Sequence, residues 1–326
     1  MAKLLEPQTL LKDRYRLAGP IGQGGMGAVY RAEDTLLSGR ICAIKEIAPE
    51  SELPPERLLQ LQEQFRQEAS VLARLDHPNL PKVSDYFTNE GREYLVMDYV
   101  PGHNLREIVD EAIKDNRFLD EAEVLDWAQQ LCSALAYLHA QDPPVLHRDI
   151  KPSNIKLTPS GLLKLVDFGL VKLLTSDESR TVTVVQGQGT AAYTPLEQYG
   201  GDDTHTDTRT DIYSLGATFY HLLTGRPPAT ARERFLRSDA LVPPRDINAH
   251  VSPGVEKAIL AALALHPDGR PPDVDTLAEA LRRGEMPATI APLMLTGTEW
   301  RATWRQNMPL LVLAGVLIIL AILITP

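Results

Sequence analysis

The sequence predicts an α+β fold in which a small β-rich part is followed by a larger, mainly helical part. Glycines punctuate strand-like apolar runs between residues 15 and 47, and helical periodicity prevails after residue 102. Hydrophobic residues make up 44% and charged residues 23% of the 326 positions, close to the average of soluble globular domains. The chain can therefore bury a substantial core, and a wholly disordered or low-complexity protein is excluded.

Five strands and one helix are predicted for the β-rich part. Apolar runs bounded by glycine mark the strands, the turn Asn89-Glu90-Gly91 joins the last two, and Pro55 suits a helix start. The predicted strands are Tyr15–Ile21, Ala28–Asp34, Ile41–Ile47, Val83–Phe87 and Tyr94–Val100, and the predicted helix is Pro54–Leu75.

The helical part begins after the segment Asp98–Gly102, where the two parts of the chain meet. Apolar residues recur on one face of Glu121–Ala140, as expected for a helix packed on a core. Three further segments are predicted to be helical: Asp211–Leu223, Gly254–Leu265 and Val274–Arg282.

Charge and cysteine content narrow the class of protein. The formal net charge is −10 and no block of lysine or arginine is present, so we expect no nucleic-acid partner. The two cysteines, Cys42 and Cys132, are too few for a disulfide scaffold or a four-cysteine zinc site. Both lie in apolar runs and are interpreted as small buried side chains in a reducing compartment.

The C-terminal segment has the composition of a membrane anchor. Residues 308–324 carry no charged side chain and, as a helix, would span about 25 Å, near the lower limit for a bilayer. Trp300 and Trp304 alternate with Arg301 and Arg305 just before it, as at a cytoplasmic membrane interface. We expect a single-pass anchor in the cell membrane after a linker of residues 284–307; a buried core helix is the alternative.

A glycine-rich loop joins the first two long strands. Gly22, Gly24, Gly27 and Val29 fit the pattern G-x-G-x-x-G-x-V, in which glycines let backbone N–H groups approach phosphate oxygens. A strand rather than a helix follows, which argues against a dinucleotide-binding βαβ unit. By itself the pattern is equally consistent with a hairpin whose glycines serve only the turn.

Two charged residues occupy apolar surroundings. Lys45 ends the apolar run Ile41–Ile44, and Glu68 lies within the apolar stripe of the predicted helix. A carboxylate facing a core is costly unless a cation meets it, so Lys45 is the expected partner of Glu68. The alternative is that Glu68 lies at the edge of the stripe and reaches solvent.

Three oxygen-bearing residues follow in two predicted loops. Asp149 and Asn154 are five residues apart in a loop containing Pro152, and Asp167 follows a strand-like run and precedes Phe168-Gly169. Asn154 and Asp167 offer oxygen ligands for Mg²⁺, which leaves Asp149 as a base. Each residue alone is explained by turn chemistry; their order along the chain favours a site.

The order of these motifs resembles the signature of protein kinases. Over about residues 15–283 the chain resembles a bacterial eukaryotic-like serine/threonine protein kinase. The resemblance implies a bilobal protein-kinase fold, with a small antiparallel β-sheet lobe plus one helix (15–97), a hinge (98–102) and a large, mainly helical lobe (103–283). Residues 1–14 would form an N-terminal extension.

The same resemblance implies a binding site for ATP and Mg²⁺ between the lobes. The three loop glycines would cover the phosphates, Lys45 paired with Glu68 would hold the α- and β-phosphates, and Asn154 and Asp167 would hold Mg²⁺. Met97 matches the gatekeeper position. The other residues implied to line the nucleotide pocket are Ile21, Val29, Ala43, Asp98 and Val100.

For catalysis, the resemblance implies that Asp149 accepts the proton of a protein serine or threonine and that Lys151 lies near the γ-phosphate. Thr190 and Tyr193 match the substrate-facing loop. In the segment between Asp167 and Glu197, Thr181 and Thr183 are the expected sites of autophosphorylation, for which a homodimer is a possible arrangement.

The remaining family features include supporting residues and two departures. Glu197 and Arg270 match a structural ion pair, and Asp211 matches the start of the helix that anchors the catalytic loop. Leu72, Val83, His147 and Phe168 match the regulatory spine. The departures are Pro195-Leu196-Glu197 in place of Ala-Pro-Glu, and Lys156, where the family usually places an apolar residue beneath adenine.

Two other functions are compatible with the fold. A pseudokinase scaffold would bind nucleotide and partner proteins without phosphoryl transfer, and a small-molecule phosphotransferase would share the two lobes. Because no catalytic position is substituted and the substrate-facing loop is complete, an ATP-dependent serine/threonine protein kinase is the function that the sequence favours.

Overall fold

The structure, a computed structural model, describes residues 4–24, 27–47, 55–167, 190–199 and 206–285. All of them belong to one compact unit, Met1–Met286. The predicted anchor and most of its linker lie outside the described residues. Among the helices that are described, none is long and apolar enough to cross a bilayer.

A six-stranded antiparallel sheet forms the β-rich part, in the order β1-β2-β3-β4-β6-β5. The five predicted strands are confirmed, with ends shifted by up to three residues. A short strand that the sequence did not indicate, β1, pairs Leu10 with Arg16 at the edge. The bounds are β1 Leu10–Leu11, β2 Tyr15–Gly24, β3 Gly27–Asp34, β4 Ile41–Ile47, β5 Val83–Asn89 and β6 Arg92–Asp98.

The sheet curls around a small aromatic core of its own. Tyr15 of β2 stacks on Phe87 of β5 with ring centroids 5.8 Å apart, and its hydroxyl donates to Asp85 at 2.8 Å. Strands that are far apart in the sheet order therefore meet, which strong right-handed twist makes possible. Leu4 and Leu5 of the N-terminal segment pack against this core.

Helix α1, Pro55–Leu72, packs on the other face of the sheet. Phe65 and Leu72 of the predicted apolar stripe are buried, which confirms this part of it, and Ala69 is buried beside them. The helix ends three residues before the predicted Leu75, and Leu75 is buried in the loop that follows.

The helical part forms around one almost fully buried helix, α4. Its residues 210–224 are all buried, so the helix shows little of the amphipathic pattern of a surface helix. The bounds are α2 Leu105–Lys114, α3 Glu121–His139, α4 Thr208–Thr224, α5 Ala231–Leu236, α6 Pro244–Ile247, α7 Pro253–Ala262 and α8 Val274–Arg283. The four predicted helices correspond to α3, α4, α7 and α8.

A second, three-stranded antiparallel sheet lies where the two parts meet. It contains β7 (His103–Asn104), β8 (Ile155–Leu157) and β9 (Leu163–Leu165), in that order. Gly102 has φ +102°, and a Cβ there would overlap the carbonyl oxygen of Leu157. Glycine therefore lets the segment between the lobes approach β8 closely. This sheet positions the loops that carry the predicted catalytic and metal-binding residues.

Candidate active site

The glycine-rich loop is the turn of the β2–β3 hairpin. Gly22 pairs with Val29 and Gly24 with Gly27 across the two strands, while residues 25 and 26 at the tip lie outside the described residues. A Cβ on Gly27 would overlap the carbonyl oxygen of Glu46 in β4, so this position requires glycine for close packing. The loop is therefore held directly on the strand that carries Lys45.

Lys45 lies in the middle of the sheet, between Val29 of β3 and Leu95 of β6. Its side chain is 12% exposed and forms an ion pair with Asp167, which is 122 residues away in sequence. The chain thus brings the predicted phosphate-binding lysine and a predicted metal ligand together. Glu68 lies in α1, but its side chain is outside the described residues, so the Lys45–Glu68 pair stays a prediction.

Asp167 leaves the end of β9 in a strained backbone conformation. Its φ is +66°, a region that non-glycine residues seldom occupy and that is frequent at functional sites. The amide of the preceding residue, Val166, donates to the carbonyl oxygen of Asn154 at 2.8 Å. That bond joins the two loops, so Asn154 and Asp167 approach the same region from different segments.

Asp149 is held from two sides by neighbours in its own loop. Lys151 Nζ and Asn154 Nδ2 each donate to Oδ2 of Asp149, both at 2.9 Å. Lys151 Nζ also donates to the hydroxyl of Thr190 at 3.1 Å. Because the amide nitrogen of Asn154 is engaged, its Oδ1 points away from Asp149 and can face a cation. The predicted base, the predicted γ-phosphate lysine and the substrate-facing loop therefore meet in one place.

A buried carboxylate anchors the backbone of this loop. Asp211, in the first turn of α4, accepts the amide hydrogens of His147 at 2.9 Å and Arg148 at 2.8 Å, and its Oδ2 lies 3.0 Å from His139 Nε2. Burial alone would raise the pKa of Asp211, but the hydrogen bonds from His139 and His147 outweigh it and lower this pKa. Asp211 therefore stays ionised and fixes Arg148, whose φ is +62°.

The predicted spine residues are buried where the structure describes them. Leu72, Val83 and His147 are at most 7% exposed, and Phe168 lies outside the described residues. Burial lowers the pKa of His147, so its imidazole is neutral at physiological pH. The His147 side chain is therefore buried as a neutral ring.

The residues predicted to line the base pocket lie on adjoining strands. Ala43 of β4 is opposite Met97 of β6, and Val100 is buried just beyond the strand. Ile21 is half-exposed at the edge. Asp98 ends β6, and its amide donates to the carbonyl oxygen of Lys82. These placements are compatible with a pocket against the segment that joins the lobes.

Comparison with known proteins agrees with this geometry. The family model described as protein kinase domain matches residues 15–256. The chain belongs to the protein kinase family. Among curated relatives, the serine/threonine-protein kinase PknB of Mycolicibacterium smegmatis is 34% identical over 304 residues, covering 89% of this chain and 46% of the relative. A probable serine/threonine-protein kinase of Clostridium acetobutylicum is 33% identical over 278 residues, covering 84% and 40%.

Solved structures give the same fold. A structure titled "PpkA-294 apo form" superimposes with a TM-score of 0.71 at 32% identity and covers 86% of this chain and 100% of that one. The PknI kinase domain of Mycobacterium tuberculosis gives a TM-score of 0.65 at 26% identity, with coverage of 86% and 100%. The chain spans less than half the length of the two curated relatives.

The predicted substrate-facing loop rests on the predicted ion pair. Arg270 and Glu197 form two hydrogen bonds of 2.6 and 3.0 Å, and the Arg270 side chain is fully buried. Arg270 also donates to three main-chain carbonyl oxygens, those of Ala264, Leu265 and Arg209. The pair is therefore fully satisfied, and the displaced proline of Pro195-Leu196-Glu197 does not prevent it.

Several contacts of the kinase site were not predicted from the sequence. The hydroxyl of Tyr193 and Nδ1 of His221 form a hydrogen bond that ties the substrate-facing loop to α4. Burial raises the pKa of Tyr193 and lowers that of His221 to about 4. The ring of Tyr99, in the segment between the lobes, lies near the cationic groups of Arg31 and Lys156. The predicted phosphorylation sites, Thr181 and Thr183, lie outside the described residues.

Proposed function

We propose that this chain is an active serine/threonine protein kinase that transfers the γ-phosphoryl group of ATP to protein hydroxyls. One observation supports this most strongly. Asp149 is bonded by Lys151 and Asn154 in one loop, while Lys45 and Asp167 form an ion pair across the two lobes. These five residues have the residue types and the order along the chain that phosphoryl transfer by a protein kinase uses.

The chain's contribution to the reaction is positioning and charge. Asp149 would accept the hydroxyl proton of the substrate, and the hydrogen bonds that Lys151 and Asn154 donate to its Oδ2 hold the carboxylate in position. Lys151, already within 3.1 Å of Thr190, would neutralise charge between the γ-phosphate and the acceptor. The buried anchor Asp211 keeps this loop in place, so little reorganisation is needed during transfer.

The donor set fits a magnesium ion. Asn154 Oδ1 and the Asp167 carboxylate are hard oxygen ligands on two loops joined by the Val166–Asn154 hydrogen bond. The Asp167 side chain is 43% exposed, so it can turn from Lys45 toward a bound cation. When bound, Mg²⁺ would neutralise charge on the phosphates. Lys45 would then be released to the α- and β-phosphates beneath the glycine-rich loop.

We also propose that the kinase is tethered to the cell membrane through residues 308–324, with the kinase domain in the cytoplasm. The uncharged 17-residue segment and its Trp–Arg flank support this. Ultracentrifugation of lysate tests it: the full chain should remain in the membrane pellet after alkaline extraction, and a chain ending at residue 286 should be soluble. If alkaline extraction also releases the full chain from the membrane pellet, the proposed membrane anchor is wrong.

We further propose autophosphorylation of Thr181 and Thr183, in a homodimer or between transient copies. A phosphate in this segment would gain charge-assisted hydrogen bonds from basic neighbours such as Lys172 and Arg148. Phosphopeptide mass spectrometry after incubation with ATP should find phosphate on this segment in the wild type and none in Asp149→Asn. Phosphate confined to other segments would contradict the assignment.

Incorporation of labelled phosphate into a generic protein substrate tests the main proposal. We expect Asp149→Asn to lower the rate by about 10²–10⁴-fold, because general-base assistance is lost while the fold is kept. Asp239→Asn, an exposed aspartate in a distant loop, is the matched control and should leave the rate unchanged. A pseudokinase would give no incorporation of phosphate with the wild type or with either variant. A small-molecule phosphotransferase would consume ATP without labelling protein.

A further inference from the structure

One aromatic ring in the segment between the lobes lies near a cation from each lobe. Tyr99 follows the last residue of β6. The guanidinium carbon of Arg31, on β3, lies 5.5 Å from its ring centroid, and Lys156 Nζ, on β8, lies 5.9 Å from it. Both distances are within the range of cation–π attraction. Tyr99 therefore lies within reach of one cation from each lobe.

Lys156 lies at a position where its positive charge would be unfavourable beneath a bound base. It lies between Asn104 and Lys164 in the small sheet, next to Ile155. Ile155 is fully buried in the core, whereas Lys156 is half-buried on the opposite face, as strand alternation requires. If the site binds ATP as proposed, this face lies beneath the adenine base. An ammonium group directly beneath a base would lose hydration without gaining a counter-charge.

The contact with Tyr99 offers the ammonium group of Lys156 a favourable position that is not beneath the base. A lysine side chain can offer its methylene stem as an apolar surface while its ammonium group lies elsewhere. The ring of Tyr99 attracts the ammonium group toward itself, so that the stem remains for the base to rest on. Lys164, opposite Lys156 on β9, has no such role, since its Nζ donates to the carbonyl oxygen of Leu80 at 3.0 Å.

We propose that Tyr99 is a positioning residue for nucleotide binding: it holds the ammonium group of Lys156 away from the base and leaves the Lys156 stem as the floor of the pocket. This inference rests on the proposed function, because it assumes that nucleotide binds between the lobes. It predicts that the effect of Tyr99 on nucleotide affinity depends on the charge of Lys156.

A double-mutant cycle on the full chain tests the dependence, with the affinity for ADP in the presence of Mg²⁺ measured by titration calorimetry. We expect Tyr99→Leu to weaken ADP binding about threefold, in line with loss of one partly exposed cation–π contact. Lys156→Met, with a similar stem and no charge, should bind ADP at least as tightly as the wild type. In the Lys156→Met background, Tyr99→Leu should change the affinity for ADP by less than about 1.5-fold.

Two further variants separate positioning from a merely structural role. Tyr99→Phe keeps the ring face and should bind ADP like the wild type. Lys164→Met is the control for the cycle: Tyr99→Leu should weaken ADP binding equally with and without Lys164→Met. Equal loss from Tyr99→Leu with and without Lys156→Met would overturn the proposal, as would weaker binding by Lys156→Met. If the wild type binds no ADP, the proposed function itself fails; intact binding without coupling removes only this inference.

Discussion

The two lobes hold their parts of the site by different means. In the small lobe, Lys45 and the glycine-rich loop are fixed by strand register and by close backbone packing at Gly27. In the large lobe, the predicted catalytic and substrate-facing loops are fixed by buried charged side chains, Asp211 and Arg270. Backbone register is insensitive to charge, whereas a buried charge depends on its partners. The lobes should therefore respond differently to mutation and to pH.

The largest expected effect is on the stability of the large lobe. Arg270→Met leaves Glu197, which is 7% exposed, buried without its cation. We expect the free energy of unfolding to fall by about 3–5 kcal/mol, as for other broken buried pairs, when measured by urea denaturation. Arg282→Met, which removes an exposed pair with Glu279, should leave the free energy of unfolding nearly unchanged. Similar losses in the two variants would show that burial does not set the difference.

The small lobe should instead lose nucleotide affinity when its packing is disturbed. Gly27→Ala forces a methyl group into the carbonyl oxygen of Glu46, so the hairpin must move away from β4. We expect the KM for ATP to rise about tenfold, the change that corresponds to roughly 1.4 kcal/mol of lost binding. Gly22→Ala, in the same loop, adds a Cβ that would meet only Val29 Cβ at 3.8 Å, an ordinary contact, so its KM should rise less. Equal increases in KM for both variants would refute the packing argument.

The smallest effect concerns pH and one buried histidine of the large lobe, His221. Burial lowers the pKa of His221 from 6.5 to about 4, so the folded protein binds fewer protons than the unfolded chain between these values. The contribution of His221 to stability is therefore complete above pH 6.5 and is lost as the pH falls toward 4. His221→Gln should make the decline of stability between pH 7 and 5 shallower. His266→Gln, at an exposed position, should leave the decline unchanged.

Asp211, the buried carboxylate that anchors the catalytic loop, is also expected to lose its stabilising effect in acid. The pKa of Asp211 is lowered in the folded state, so its contribution also disappears in acid, at still lower pH. The small lobe also has a buried carboxylate with a lowered pKa, Asp34, which Arg14 bonds at the end of β3 away from the glycine-rich loop. An unchanged slope in His221→Gln would mean that the Tyr193–His221 hydrogen bond is not what acid disrupts.

Much of the site could be predicted because its signals are local. Asp149 and Asn154 are separated by five residues, and Lys45 ends an apolar run, so spacing and residue type identified them. The helix α2 was missed although its start carries a capping box, in which Asn104 and Glu107 each bond the other's backbone amide. That signal was available in the sequence.

Other features had no local signal. Strand β1 is only two residues long and exists because β2 offers an unpaired edge. The Tyr193–His221 hydrogen bond and the Tyr99–Lys156 contact join residues 28 and 57 positions apart in sequence, so only the packing of whole elements creates them. The predicted Lys45–Glu68 pair stays a prediction, whereas the Lys45–Asp167 pair is present.

The sequence by itself determined which chemical groups the kinase carries and the order of the strands and helices that present them, because motif spacing and periodicity are properties of the chain. The tertiary structure decided which groups share a site and which charges are buried together. Those outcomes depend on the curl of the sheet and on the burial of α4 on all sides. Both arise from contacts between residues far apart in the chain, which no local pattern records.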